Sequence, residues 1–137
     1  MRKNLCILIL CLAVSPCFAQ SSFLETEPWG FESDNGFLNC VVAFDTELTP
    51  TELLDTTERI ERELGRTVKS TGGNYHDRLI DIDILLYGNT VIESERLTIP
   101  HPLMHLRDFV LMPLAEIAPD TVHPTLGKSI KELLEER

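Results

Sequence analysis

The stretch Arg78-Leu79-Ile80-Asp81-Ile82-Asp83-Ile84-Leu85-Leu86-Tyr87 decides how this chain is read. Its centre alternates apolar and acidic residues with a period of two, the period of a β-strand. Ile80, Ile82 and Ile84 then share one face, which they can bury, and Asp81 and Asp83 share the other. Aspartate is a poor strand former, so two of them in a strongly apolar strand call for a reason. Paired hard carboxylates suit Mg²⁺, which takes oxygen ligands and keeps water and substrate phosphates for the rest of its shell. The bland reading is a half-exposed strand with solvated acids, and Asp-x-Asp alone is a weak signal. Arg78, three residues before Asp81, can grip phosphate oxygens bidentately; its bland reading is a surface ion pair with Asp77 or Asp81.

Outward from this strand, Gly88-Asn89 marks a turn, and residues 66–77 with Gly72-Gly73-Asn74 read as an irregular loop. Upstream, Thr49-Pro50-Thr51-Glu52 is a helix start: Thr49 caps, Pro50 suits the first turn, and Glu52 completes a capping box. Leu53, Leu54, Thr57, Ile60 and Leu64 fall on one face of that helix, and Gly65 suits its end. Residues 37–48 read as a strand, residues 21–27 as a short one, and Leu97–Ile99 as an extended piece closed by Pro100. Residues 107–117 are expected to be helical in part, interrupted by Pro113, and residues 128–137 to form a short helix with Ile130, Leu133 and Leu134 inward. Strands with few helices between them imply an α+β sheet covered by helices.

The 137 residues suffice for one domain, and 43% hydrophobic with 25% charged residues excludes a disordered chain. A net charge of −10, from 12 Lys+Arg against 22 Asp+Glu, makes nucleic acid an improbable partner. An anionic nucleotide still fits if metal ions and local cations neutralise it; Arg66, Lys69, Arg78 and Arg107 supply the cations. Arg2-Lys3, an apolar run from Leu5 to Val14, and small residues flanking Phe18 have the pattern of a secretory signal peptide. That run is short for a membrane span; its bland reading is a buried strand. Cleavage after Ala19 would leave Cys40 alone, with no disulfide partner.

His101 lies between Pro100 and Pro102 on stiff backbone and can donate to a phosphate or act as an acid. It is otherwise a loop residue, as His76 and His123 are read to be. His101 and His105 lack the setting of a zinc site, since Pro102 argues against one helix carrying both. Trp29 and Phe37 can stack on a flat heterocycle whose edge Asn39 would bond, although core packing is the commoner role of such aromatics.

Taken in order, Thr26-Glu-Pro-Trp-Gly30, Phe37-Leu-Asn39, Ile60-Glu61, Gly65-Arg66, Asp77–Ile84, Leu97-Thr-Ile-Pro-His-Pro102, Arg107–Leu111 and Glu116-Ile-Ala-Pro119 resemble the 6-hydroxymethyl-7,8-dihydropterin pyrophosphokinase family over about residues 21–127. The combination is specific, though no single piece is. The resemblance implies a ferredoxin-like antiparallel sheet covered by helices. It also implies an ATP-dependent transfer of pyrophosphate to the pterin in folate biosynthesis, assisted by two Mg²⁺ ions. It implies metal ligands at Asp81 and Asp83, phosphate contacts at Arg78, His101 and Arg107, and nucleotide contacts at Glu61 and Thr98. The pterin pocket would comprise Thr26, Pro28, Trp29, Phe37, Asn39 and Phe109. A cytoplasmic monomer is the family expectation.

Two departures stand out. His76-Asp77 replaces the Gly-Pro that usually precedes the strand arginine. The strand, Gly-Ser-Asn-type loop and helix that open the family are replaced by the leader-like residues 1–20. Residues 21–137 are therefore expected to be an N-terminally incomplete pyrophosphokinase domain, with residues 1–20 a signal-peptide-like or altered segment, as a frameshift just before Ser21 would give. The competing readings are an exported or vestigial non-catalytic binding domain, and a metal-dependent nucleotide-sugar transferase using Asp81-x-Asp83.

Overall fold

The computed structural model describes residues 4–11, 19–26, 37–64 and 80–137, the first stretch by its backbone course. Its elements run β1 (Asn4–Cys11), β2 (Ala19–Gln20), β3 (Leu24–Thr26), β4 (Phe37–Phe44), α1 (Pro50–Leu64), β5 (Ile80–Tyr87), β6 (Ile92–Glu93), β7 (Thr98–Ile99), a 3-10 turn at Met104–Leu106, α2 (Asp108–Ile117) and α3 (Ile130–Glu135).

The expected α+β class holds. The main sheet has the order β2-β4-β1-β5, with β3 also on β4. Its pairing is mixed: β2 and β3 run antiparallel to β4, whereas β1 runs parallel to both β4 and β5. Because β4, α1 and β5 follow one another in the chain, β4 and β5 are the parallel outer strands of a split crossover with β1 between them. β2 and β3 form one interrupted strand. Between them Ser21 donates its N–H to the Val41 carbonyl and accepts the Val41 N–H on its hydroxyl, both at 2.8 Å, so the ladder to β4 stays satisfied.

α1 begins as its sequence demands. The Thr49 hydroxyl accepts the Glu52 N–H at 3.2 Å, and the Glu52 carboxylate accepts the Thr49 N–H at 2.8 Å. Its buried residues are Leu53, Thr57 and Glu61. Leu64, expected inward, is 58% exposed, and Glu61 takes the inward place at the helix's last full turn. The spacing Leu53, Thr57, Glu61 is the strict four-residue row of a helix face. α3 carries a second capping box, with the Ser129 hydroxyl accepting from Glu132 N–H and the Glu132 carboxylate accepting from Ser129 N–H. Pro113 does not interrupt α2. It sits inside a continuous helix and is buried, its ring turned to the core where the expectation was a break. The β6–β7 hairpin, with Ile92 opposite Ile99, was not anticipated beyond an extended Leu97–Ile99.

Two apolar layers enclose the sheet. Leu53, Ile80, Ile82, Ile84 and Ile99 pack on the α1 side, joined by Val42, Phe44 and Tyr87. Val41, Ala43, Leu85, Leu86, Met104, Val110, Leu111, Leu114, Ile130 and Leu133 pack on the α2–α3 side. Both Leu85 and Leu86 belong to the second layer, which strict alternation forbids. The cause is a register shift: β1 Ile9 pairs with Ile84 and the next residue, Leu10, with Leu86, so Leu85 is an extra residue in β5.

Candidate active site

β5 places Asp81 and Asp83 as its alternation requires. Ile80, Ile82 and Ile84 are buried against α1, and the two aspartates between them are half-buried on the opposite face. Through β1, Asp81 is in register with Cys6 and then with Asn39; Asp83 is in register with Leu8 and then with Val41. Asn39 and Asp81 therefore lie in one row, two strand spacings or about 10 Å apart. Asn39 is 2% exposed and donates its Nδ2 to the Leu24 carbonyl at 3.2 Å, which ties β3 to β4. Thr26 and Phe37 are register partners at the end of the same pair of strands. Pro28, Trp29, Arg66, Lys69 and Arg78 lie outside the described residues.

The outer edge of β5, the side away from β1, is covered by two other residues of the expected site. Glu61, 5% exposed, reaches from α1 and accepts the Ile82 N–H on Oε1 at 2.9 Å. Further along, His101 donates its backbone N–H to the Leu85 carbonyl at 2.9 Å, at the extra residue of the bulge. The bulge thus has a second consequence besides burying Leu85: it offers the carbonyl on which the Pro100-His101-Pro102 segment docks.

The His101 ring is oriented by its own turn. Nδ1 accepts the Leu103 N–H at 3.2 Å, so the neutral ring carries its proton on Nε2, which is its donor. Burial pushes the His101 pKa below the ordinary 6.5; the nearby Arg107 charge pushes the same way, and Asp81 opposes them. His101 therefore lies near enough to Arg107 and to Asp81 to feel both charges. Arg107 caps the start of α2 with extended backbone, and its guanidinium lies 5.6 Å from the centre of the half-buried Phe109 ring. The Phe109 ring packs in turn against the α2–α3 core.

Thr98, on β7, and His101 line a cavity of about 300 Å³ with Ile92, His105, His123 and Leu126. That volume is at the lower end for small-molecule sites, too small to enclose a whole nucleoside triphosphate. His123 was read as an ordinary loop residue. It is 4% exposed, and its Nδ1 accepts the N–H groups of Thr125 and Leu126 at 3.3 and 3.2 Å. It stands edge-on to His105 with ring centres 6.1 Å apart. Burial, with a smaller contribution from His105, pushes its pKa down.

The donor set fits hard cations. Asp81 and Asp83 offer carboxylates on one face of β5, both half-buried. No group of three or more His, Cys, Asp or Glu able to hold a metal occurs among the described residues. Two carboxylates are an incomplete shell for Mg²⁺, which suits an ion that shares its remaining sites with phosphate oxygens and water. No helix among the described residues is long and apolar enough to cross a membrane.

The arrangement is matched in known proteins. Residues 3–119 match the sequence model of 7,8-dihydro-6-hydroxymethylpterin-pyrophosphokinase. The chain is 59% identical over 105 residues to the 2-amino-4-hydroxy-6-hydroxymethyldihydropteridine pyrophosphokinase of Porphyromonas gingivalis, a match covering 76% of this chain and 71% of that one. It is 47% identical over 116 residues to the enzyme of that name from Haemophilus influenzae, with 85% and 70% covered. It is 44% identical over 112 residues to that from Aquifex aeolicus, with 82% and 68% covered. With a family match over residues 3–119 and a 59% identical relative covered over more than two thirds of its length, this chain belongs to the 7,8-dihydro-6-hydroxymethylpterin-pyrophosphokinase family.

Proposed function

We propose that this chain transfers the β,γ-pyrophosphoryl group of ATP to the hydroxymethyl oxygen of 6-hydroxymethyl-7,8-dihydropterin, giving AMP and the pterin diphosphate in folate biosynthesis. The observation that carries this reading, beside family membership, is the placing of Asp81 and Asp83 on one face of β5, with His101 near both Asp81 and Arg107.

In the reaction the pterin hydroxyl oxygen forms a bond to the β-phosphorus. The bond from that phosphorus to the oxygen bridging the α and β positions breaks, AMP leaves, and the hydroxyl proton passes to water. Charge shifts onto phosphate oxygens, so positioning and neutralisation carry most of the catalysis. Asp81 and Asp83 would hold two Mg²⁺ ions, which when bound supply charge neutralisation at those oxygens. Arg107 adds a fixed positive charge, its guanidinium held against Phe109. His101 enters neutral and donates from Nε2 to a phosphate oxygen; anionic phosphate beside it then favours its protonated form. Arg78 is assigned to the phosphates, and Glu61 and Thr98 to the nucleotide side. Asn39 is assigned to the edge of the pterin, and Thr26, Pro28, Trp29, Phe37 and Phe109 to the walls around it.

We take residues 21–137, with β1 inserted in the sheet, as the pyrophosphokinase domain, acting as a monomer. A reaction that consumes ATP favours the cytoplasm; the pattern of residues 1–20 keeps export as the alternative, against which stands β1 (Asn4–Cys11), the strand that joins β4 to β5. The test is turnover with ATP, Mg²⁺ and 6-hydroxymethyl-7,8-dihydropterin, read as AMP and pterin diphosphate. Equal yields of the two products, dependent on the pterin, are expected. Absence of AMP, or its release without pterin, overturns the assignment.

A further inference from the structure

We propose that Glu61 is a positioning residue for the carboxylate pair, acting through the backbone of β5; this rests on the metal assignment above. Among the described residues β5 is the outermost strand of the main sheet, so part of its backbone faces no strand described there. Such groups need a partner. At Ile82, the residue between the two aspartates, that partner is the Glu61 carboxylate, 2.9 Å from the amide nitrogen. Asp81 and Asp83 flank this amide on either side in the chain. A shift of the peptide at Ile82 therefore moves both carboxylates together, along with the spacing that two ions sharing a triphosphate require.

Several features make the contact directional. Glu61 is 5% exposed and belongs to the inward row of α1 with Leu53 and Thr57. Its backbone is held by a helix whose start is fixed by the Thr49–Glu52 capping box. On the α1 face of the strand at this point, Ile80, Ile82 and Ile84 pack in one layer with Leu53. The acid-bearing part of β5 is thus held from α1 twice, by apolar packing and by the hydrogen bond from the Ile82 N–H to the Glu61 carboxylate. A supporting group of this kind typically changes metal affinity or activity by about 10- to 100-fold when removed.

The experiment uses the full chain with Glu61→Gln, Glu61→Ala and Glu61→Asp. Mn²⁺ binding is titrated in the presence of α,β-methylene ATP, and exchange of the Ile82 amide proton is followed by NMR. Glu61→Gln keeps an acceptor oxygen at the same reach and is expected to retain Ile82 protection and bind Mn²⁺ within a few-fold of the parent. Glu61→Ala is expected to lose that protection and to bind Mn²⁺ at least about tenfold more weakly, with the Mg²⁺ concentration for half-maximal turnover raised in parallel. If Glu61→Ala does not fold, Glu61→Asp, which withdraws the carboxylate by one methylene, must show the same paired loss. Loss of Ile82 protection with unchanged Mn²⁺ affinity overturns the proposal. So does a raised KM for ATP with both Ile82 protection and Mn²⁺ affinity unchanged, which would leave Glu61 a nucleotide contact and nothing more. Failure of the metal assignment itself would appear in the parent chain, as absent Mn²⁺ binding, and would overturn both.

Discussion

Along β5 the residues before and after Leu85 meet different surroundings. From Ile80 to Ile84 the strand alternates, with isoleucines packed on the α1 layer and half-buried aspartates on the other face. From Leu85 to Tyr87 the order shifts, and Leu85 and Leu86 both lie fully buried in the α2–α3 layer. One strand thus serves as a site at one end and a core at the other, and the extra residue at Leu85 is the joint between them. The physical lesson is that an acidic pair can sit on the face of a sheet only where the covering helices stop. Past that point, the same face must become apolar to pay for ordering the helices that bring in His101 and Arg107.

The largest effect expected to separate the two ends is in Asp83→Ala. It should lower turnover by about a thousandfold, the scale of losing a major electrostatic group, while the thermal midpoint changes little because Asp83 is only half-buried. Near-normal turnover would remove the metal assignment. Leu85→Ala should do the opposite: a loss of about 2–5 kcal/mol in denaturant unfolding from cavity formation, with residual folded protein still binding Mn²⁺. His101→Ala removes the Nε2 donor but not the backbone N–H that bonds Leu85. A loss of about 1.5–3 kcal/mol of transition-state stabilisation is expected, read as kcat/KM with unfolding nearly unchanged. Thr49→Ala should cost about 1 kcal/mol of stability through the lost cap and leave kcat alone.

The smallest expected effect is a pH slope. His101 and His123 both bind protons less readily when folded than at the ordinary 6.5. As pH falls below about 6.5 the unfolded chain takes up protons first, so the stability these neutral rings contribute is complete above that pH and lost below it. The urea midpoint should therefore fall between about pH 7 and pH 5. His123→Asn, which keeps an acceptor for the Thr125 and Leu126 amides, should flatten the decline. An unchanged slope would show that His123 is not one of its sources.

Much of the fold was legible from local pattern. The capping box at Thr49, the β5 alternation and the apolar side of α3 all depend on spacings within a few residues, and each appears as expected. Pro113 was misread because a proline's effect on a helix depends on whether the missing hydrogen bond is tolerated by what surrounds it. Glu61 was reached only through the family resemblance, although its four-residue spacing from Thr57 and Leu53 marks the inward row. His123 carried no local signal, since its role comes from a turn whose amides converge on its ring.

By itself the sequence determined that Asp81 and Asp83 share a face, because strand alternation is a property of covalent geometry. It also determined where α1 begins, because a cap is satisfied by groups three residues apart; the start of α3, read at residue 128, lies at Ile130. Only the tertiary structure decided that Asn39 stands in the row of Asp81 across β1, that Glu61 holds the Ile82 amide, and that a bulge at Leu85 receives His101. Those relations join residues tens of positions apart. They depend on register, and register is settled by which apolar faces are buried together rather than by any local stretch of chain.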